Sequence, residues 1–517
     1  MSSLKIIVTN VGALKNKYGA QGFNAIDVAL HDLIAADAAR GLTTQVVALD
    51  DKRAGGSAVK VTTDPAQNKA AIDAAFDKHK PDYLMILGAL DIVPYQDLKN
   101  PATGDGDALA PGDLPYACGG AYSQDVREFL DPTRVVGRLA DLGGESDPSY
   151  LVNLLQTAGR YIARDSTDYA VYLGASAQVW TKSTQMSLNT VFGSSQALYL
   201  CPPSGPNWGQ LLAPKAHFIN CHGSPADPQF YGQQGGNYPV AFRSDSLQGL
   251  TDGTVAAFEC CYGAELYDPS AANGLASVAQ VYLRGGAYAV WASSTIAYGP
   301  GDSNEWADNM CQYFMRPVLD AASTGRAALE ARQMFIHHKS ALDPYDLKTL
   351  AQYNLLGDPS IHPIRATGEH GIVKVLMGSK MATGAAASVA GRRHRRERLE
   401  RFGIALGSIV RTAAAKKAFS GSKAIRGALD AEVAKEQLGN VQFSTHSVTG
   451  PASFAPSPRA KTARHGKAIP GINTNITGPT FHIAIGSRPG QLSVPQYVVI
   501  VASEDENQTI IRKGFSR

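Results

Sequence analysis

Residues 255–265 read VAAFECCYGAE: four apolar residues, an acid, two adjacent cysteines, then Tyr262 and Gly263. An apolar run that stops at reactive side chains and a glycine reads as a buried strand whose C-terminal end opens onto a sharp turn. A second run, AHFINCHGS (216–224), stops in the same way at His222 and Gly223. YAVYLGAS (169–176) and AYAVWASST (287–295) are further apolar runs, with helical stretches between them. Upstream the same alternation is already running. LKIIVTNV (4–11) precedes a helical stretch (24–41) with Ile26, Leu30, Leu33 and Ile34 on one face and Gly41 placed to end it. TTQVVAL (43–49), a helical stretch (65–79) and DYLMILGALDIV (82–93) follow, then a polar Gly/Pro-rich loop of about forty residues; loops of that length are more often functional than idle. RVVGRLAD (134–141) and a helical stretch (150–164) complete the series.

Strands alternating with helices predict an α/β protein with a mainly parallel sheet covered on both faces and right-handed crossovers. The expected division is an N-terminal α/β subdomain (1–145) and a second subdomain (146–366). Beyond these come a basic helical segment (367–443), a Ser/Thr/Pro/Gly-rich linker (444–480) and a small β module (481–517).

Composition narrows the function. The chain has 517 residues, more than one compact core usually holds, with 44% hydrophobic and 18% charged residues. A net charge of +3 does not by itself imply a nucleic-acid partner. No stretch approaches the roughly 20 apolar residues that span a bilayer. The start, MSSLKIIVTNVGALKNKYG, has no apolar core of a secretory signal, so a cytoplasmic location is expected. The six cysteines (118, 201, 221, 260, 261, 311) show no paired CxxC spacing, so neither a metal nor another cofactor is expected. A reduced, reactive thiol remains open.

In a parallel α/β sheet, reacting groups gather beyond the C-terminal ends of strands. Two strands that deliver a cysteine and a histidine to one rim suit acyl transfer, because a thiol needs a base such as imidazole to become a nucleophile near neutral pH. Backbone N–H groups near Gly223 and the cysteine could hold the oxyanion. The competing reading is a small buried cysteine and a chance His-Gly pair.

HFINCHGS, VAAFECCYGAEL, AVWASSTI and YNLLGDPSI occur in the order found in gingipain-type cysteine peptidases, which the first 365 residues resemble. DYLMILGALDIVP and TRVVGRLAD are similar to that family's strand-plus-proline and Val-Gly-Arg elements. The resemblance implies the caspase-like three-layer α/β/α fold, with His222 as general base and Gly223 in the oxyanion hole. The nucleophile would be Cys260 or Cys261. Counting back from Gly263 as gingipains do selects Cys260; a small residue before the nucleophile, as in caspases, selects Cys261, which is preferred here. A large acid next to a thiol opposes its ionisation. In the family an acid before Val-Gly-Arg orients the histidine and another binds the basic side chain ahead of the scissile bond. Asp125, Glu128 and Asp131 fall in that loop. Ser294, Thr295 and Tyr298 fall in the segment that lines the pocket, where Pro300 replaces an expected aromatic residue.

The resulting expectation is a cysteine endopeptidase acting on protein or peptide substrates, with cleavage after Arg or Lys. GRRHRRERLERFG (391–403) interleaves Arg and Glu at helical spacing, which suits a solvated helix face better than nucleic-acid binding. Within it, residues 392–401 would be a self-cleavage target if the pocket accepts arginine, and the extension would restrain the enzyme. The alternative from another class is a catalytically silent caspase-like scaffold that binds a protein or nucleic-acid partner through this basic segment.

Overall fold

The computed structural model describes residues 3–52, 58–102, 105–202, 208–339, 342–365, 413–451, 475–488, 496–504 and 510–516. The basic stretch 391–403, with the expected cleavage segment 392–401, lies outside them.

The first part runs β1 (Ser3–Thr9), α1 (Val11–Ala39), β2 (Leu42–Ala48), α2 (Pro65–His79), β3 (Tyr83–Leu87), β4 (Val136–Leu139) and α3 (Ser149–Arg160). The second runs β5 (Tyr172–Ala177), α4 (Thr181–Phe192), β6 (Leu198–Cys201), β7 (Ala216–Asn220), β8 (Gln229–Tyr231), β9 (Val240–Arg243), β10 (Val255–Phe258), α5 (Val278–Arg284), β11 (Ala289–Ser293), β12 (Tyr298–Gly299), α6 (Trp306–Leu319), α7 (Thr324–His337), α8 (Pro344–Gln352) and β13 (Tyr353–Leu356). The C-terminal part runs β14 (Ala413–Ala418), α9 (Lys423–Lys435), β15 (Gly439–Pro451), β16 (Asn475–Arg488), β17 (Gln496–Glu504) and β18 (Ile510–Ser516).

Ten strands form one sheet in the order β2-β1-β3-β4-β13-β11-β10-β7-β5-β6. Each five-stranded half is parallel within itself; the halves meet antiparallel where β13 pairs with β11, Val290 opposite Leu356. Helices flank the sheet in two series, α1 packing on α3 and α3 on α5, and α6 packing on α4, α7 and α8. The expected mainly parallel α/β architecture is present. The strands at its centre are buried along their whole length, as sequences such as VAAF and AVWAS require. The first helix starts at Val11, well before the expected residue 24, and is broken at Gly19, where φ is +64°. A glycine there accommodates a break that a β-carbon would resist.

A further six strands form a second sheet, β12-β18-β17-β16-β15-β14, of which β12 belongs to the second part, and β8 and β9 form a two-stranded antiparallel sheet. β15 and β16 reach into 444–451 and 475–480, which the sequence reads as linker. Their pairing with each other supplies the backbone partners that a Ser/Thr-rich stretch does not advertise. No helix among the described residues is long and apolar enough to cross a membrane.

The closing Gly-Asp-Pro-Ser segment has a clear structural part. Asp358 lies 2.7 Å from the Lys5 ammonium of β1, and Asp37 of α1 lies 2.6 Å from the same group, all three buried. Burial alone would raise the Asp358 carboxyl, but Lys5 and the Ser360 hydroxyl and amide hold it below the usual range. The first strand is thereby tied to the last turn of the second part. Replacing Lys5 by Met leaves the buried Asp358 carboxylate without its cation, while Asp37 keeps Arg40 at 2.9 Å, and is expected to cost about 3–5 kcal/mol; a thermal or urea melt that matches the parent would refute this.

Candidate active site

β7 and β10 are parallel neighbours, with Ile219 opposite Phe258, and the Glu259 N–H continues the ladder to the Ile219 carbonyl at 2.8 Å. Both strands then end, and His222 and Cys261 follow at the same edge. Gly223 and Cys261 touch through their backbones. A β-carbon on Gly223 would sit 1.9 Å from the Cys261 carbonyl oxygen, so only glycine allows this approach.

The two cysteines face different surroundings. Cys260 Sγ is fully buried and lies 3.8 Å from the Ile219 carbonyl, and its field acts on buried Tyr282. Cys261 Sγ accepts the Ala297 N–H at 3.3 Å and lies 3.6 Å from the Ala297 carbonyl. A backbone donor aimed at sulfur provides a partner for a thiolate. The turn after Cys261 is tight: Tyr262 has φ +57°, its N–H donates to the Thr295 carbonyl at 3.0 Å, and its hydroxyl donates to Asp107 at 2.7 Å. Non-glycine residues held at such angles persist where the surroundings over-determine them.

His222 is buried against Trp180, ring centroids 4.3 Å apart, and meets Tyr238 edge-on at 5.4 Å. Its Nε2 lies 2.7 Å from Gln233 Oε1. The orientation of that amide is determined by its other end, because the two N–H bonds of Gln233 Nε2 face three acceptors, the Gly235 carbonyl, the Tyr238 hydroxyl and Glu436 Oε2, all within 3.0 Å. Gln233 Oε1 is therefore the acceptor, and the neutral imidazole carries its proton on Nε2.

The loop residues expected to bind substrate are dispersed. Asp125 caps a short helical turn and is held by Arg127, Nε to Oδ1 at 2.8 Å. Glu128 is exposed on that turn, and Asp131 lies within electrostatic reach of buried Cys118. Ser294 and Thr295 are buried, with hydroxyls turned to the Pro111 carbonyl and the Gln352 amide oxygen. Tyr298 is buried and hydrogen-bonded to Asp105.

Other acids reach the site instead. Asp107 accepts from Tyr262 and from the Ile296 N–H at 3.1 Å, and pairs with buried Lys348 at 2.6 Å. Burial alone would discharge Lys348, but Asp105 and Asp107 keep it charged. Glu265 links the turns that follow His222 and Cys261: its Oε2 accepts the N–H of Ala226, a residue at φ +48°, at 2.7 Å. Neither Glu265 nor Asp227 pairs with a cation among the described residues, and the Tyr267 hydroxyl within their field is buried without a hydrogen-bond partner. Burial, reinforced by Asp107 and Asp227, pushes Glu265 up to about 7.

Trp180, Gln233, Asp107 and Glu265 were missed in the sequence. Trp180 alone left a trace, standing just past the end of an apolar run. The others reach the site from loops, whose course no periodicity encodes.

Arg138 of the Val-Gly-Arg element is not at the thiol. Its buried guanidinium forks onto Asp113 at 2.9 and 2.6 Å and caps the Gly88 and Val93 carbonyls, pinning the long loop that supplies Asp107 and Pro111.

Comparison with known proteins is consistent with this arrangement. Peptidase family C25, the gingipain family, has a sequence model that matches residues 222–364, beginning at His222. The match supports a cysteine-peptidase activity and bears out the gingipain resemblance. No curated protein matches the chain. A solved chain described as "Structure of Protease" aligns at 14% identity over 99% of this chain and 96% of its own, with a TM-score of 0.46. A chain of the Saccharomyces cerevisiae separase-securin complex aligns at 12% identity over 44% of this chain and 14% of its own, with a TM-score of 0.25.

Glu265 offers a test of the site's electrostatics. Below its ordinary value of 4.5 the carboxyl is protonated whether the chain is folded or not; above about 7 the folded chain holds a buried carboxylate that unfolding would solvate. The residue therefore opposes folding increasingly from pH 4.5 to 7. Glu265→Gln should stabilise the fold at pH 8, by about 3 kcal/mol at most and visible as a higher melting temperature, and leave stability unchanged near pH 4. A pH-independent difference would show that burial does not set its ionisation.

Proposed function

We propose that the chain is a cysteine endopeptidase in which Cys261 attacks the peptide carbonyl and His222 takes the thiol proton and returns it to the leaving amine. Backbone N–H groups around Gly223 would hold the oxyanion. The observation that carries this reading is the contrast between the two thiols. Cys261 Sγ stands beside the Ala297 backbone at the edge where Gly223 meets it, whereas Cys260 Sγ faces the Ile219 carbonyl inside the sheet.

Cys261→Ala is expected to reduce hydrolysis of a peptide pool to background, while Cys260→Ala retains most of it. Both variants keep a small residue, so folding should survive. The reverse pattern transfers the role to Cys260, and full activity in both overturns the peptidase reading in favour of a silent scaffold. The same pair of proteins, incubated and sequenced for new N-termini, tests self-cleavage within 392–401.

Cleavage after Arg or Lys remains the specificity we propose. Its support comes from the acids around the two turns, Asp227 and Glu265 above all, because Asp125 is engaged by Arg127. A buried carboxylate pairs bidentately with guanidinium, so arginine should be preferred over lysine. Library profiling should show basic residues before the cleaved bond; a dominant preference for acidic or apolar residues would refute it.

A further inference from the structure

Two contacts bring the C-terminal sheet onto the candidate active site. The first is a strand pairing. β12 lies at the end of the six-stranded sheet and pairs antiparallel with β18, Gly299 opposite Phe515 and Tyr298 opposite Ser516. β12 begins one residue after Ala297, whose N–H and carbonyl both face the Cys261 sulfur. Going from Phe515 to Ser516, β18 therefore advances toward the thiol.

The second contact reaches the histidine. Glu436, just past the end of α9, is buried, and its Oε2 accepts from Gln233 Nε2 and from the Tyr238 hydroxyl, both at 2.8 Å. Gln233 in turn holds His222, and Tyr238 packs against the same imidazole. The neighbouring residue fits as closely: a β-carbon on Gly236 would lie 2.1 Å from the Gln437 side chain. Ile483 of β16 is part of the main hydrophobic core, so the C-terminal sheet is packed onto the rest of the chain.

A peptide must lie extended past a thiol to present one carbonyl to it. An extended chain satisfies its backbone groups by adding to a strand edge. The strand closest in sequence to the Cys261 contact is β12, at the end of its sheet, and the chain's own β18 is on it. We infer that β12 is the edge to which an extended peptide substrate adds as an antiparallel strand, and that the C-terminal sheet restrains the enzyme by holding that edge with β18 and the His222 support with Glu436. This rests on the peptidase reading and adds a mechanism of restraint to it. The occupant is tethered, so it competes at high effective concentration. The ladder between β12 and β18 is only two residues long, so a peptide or an activating partner can displace it without unfolding either sheet.

The test uses the full chain in four forms: unaltered, Phe515→Pro, Glu436→Ala and Cys261→Ala. Proline in a central strand removes a ladder donor and weakens pairing. Phe515→Pro and Glu436→Ala are each expected to raise kcat/KM on a mixed quenched-fluorescence peptide pool at least tenfold, and to speed iodoacetamide alkylation of Cys261. Hydrogen exchange supplies a readout that leaves β18 unaltered. When the Cys261→Ala chain is saturated with a peptide that the active enzyme cleaves, amides at 510–516 should lose protection. Hydrolysis by the unaltered chain that stays within twofold in the variants, a fall in rate on Glu436→Ala, or unchanged protection at 510–516 overturns the restraint while the peptidase reading stands. Absence of hydrolysis in every form overturns the peptidase reading, and the restraint with it.

Discussion

Strand β13, four residues long, joins two sheets' worth of parallel strands into one. Its antiparallel pairing with β11 and parallel pairing with β4 mean that the two halves run in opposite directions. The C-terminal ends of β7, β10 and β11 therefore lie at the same edge as the N-terminal ends of β3 and β4. Because β3 and β4 are parallel, the chain between them must return across the sheet, and it does so through a long loop rather than a helix. That loop passes the edge where Cys261 and His222 stand, which is how Asp107 and Pro111 come to touch residues of the 294–296 segment. The length of the loop follows from strand direction.

The motifs that resemble the family's divide accordingly between those that hold the frame and those that stand at the candidate site. Asp358 and Lys5 tie the last turn to the first strand, and Arg138 pins the returning loop through Asp113. Neither touches the thiol. Buried ion pairs of this kind contribute little net stability but are costly to break, so they specify an arrangement more than they strengthen it. His222, Gly223 and Cys261 use the frame, and the contact between Gly223 and the Cys261 carbonyl shows how little spare room it leaves.

The support of His222 extends outward in a chain of hydrogen bonds, from the imidazole to Gln233, then to Glu436 of the C-terminal part. An uncharged amide between the imidazole and the carboxylate sets the tautomer without placing a full negative charge against the ring. The same chain couples the imidazole to a segment more than two hundred residues away in sequence.

The alternation of apolar runs and helical stretches was enough to specify an α/β fold, because period and strand-end chemistry are local properties. The same local signal placed a thiol and an imidazole at strand ends, and the motif order supplied the family resemblance. It could not distinguish Cys260 from Cys261: adjacent residues differ only in which side of the turn they face, and that is settled by the packing of Ile219 and Ala297 around them. Nor could it show that Asp125 is turned onto Arg127 while Asp107 and Glu265 approach the turns, since loop acids carry no periodicity and their destinations depend on where the sheet reverses. The pairing of β18 with β12 and the reach of Glu436 were equally hidden. Both join segments some two hundred residues apart, and only the folded chain, with its backbone groups seeking partners, brings those segments together.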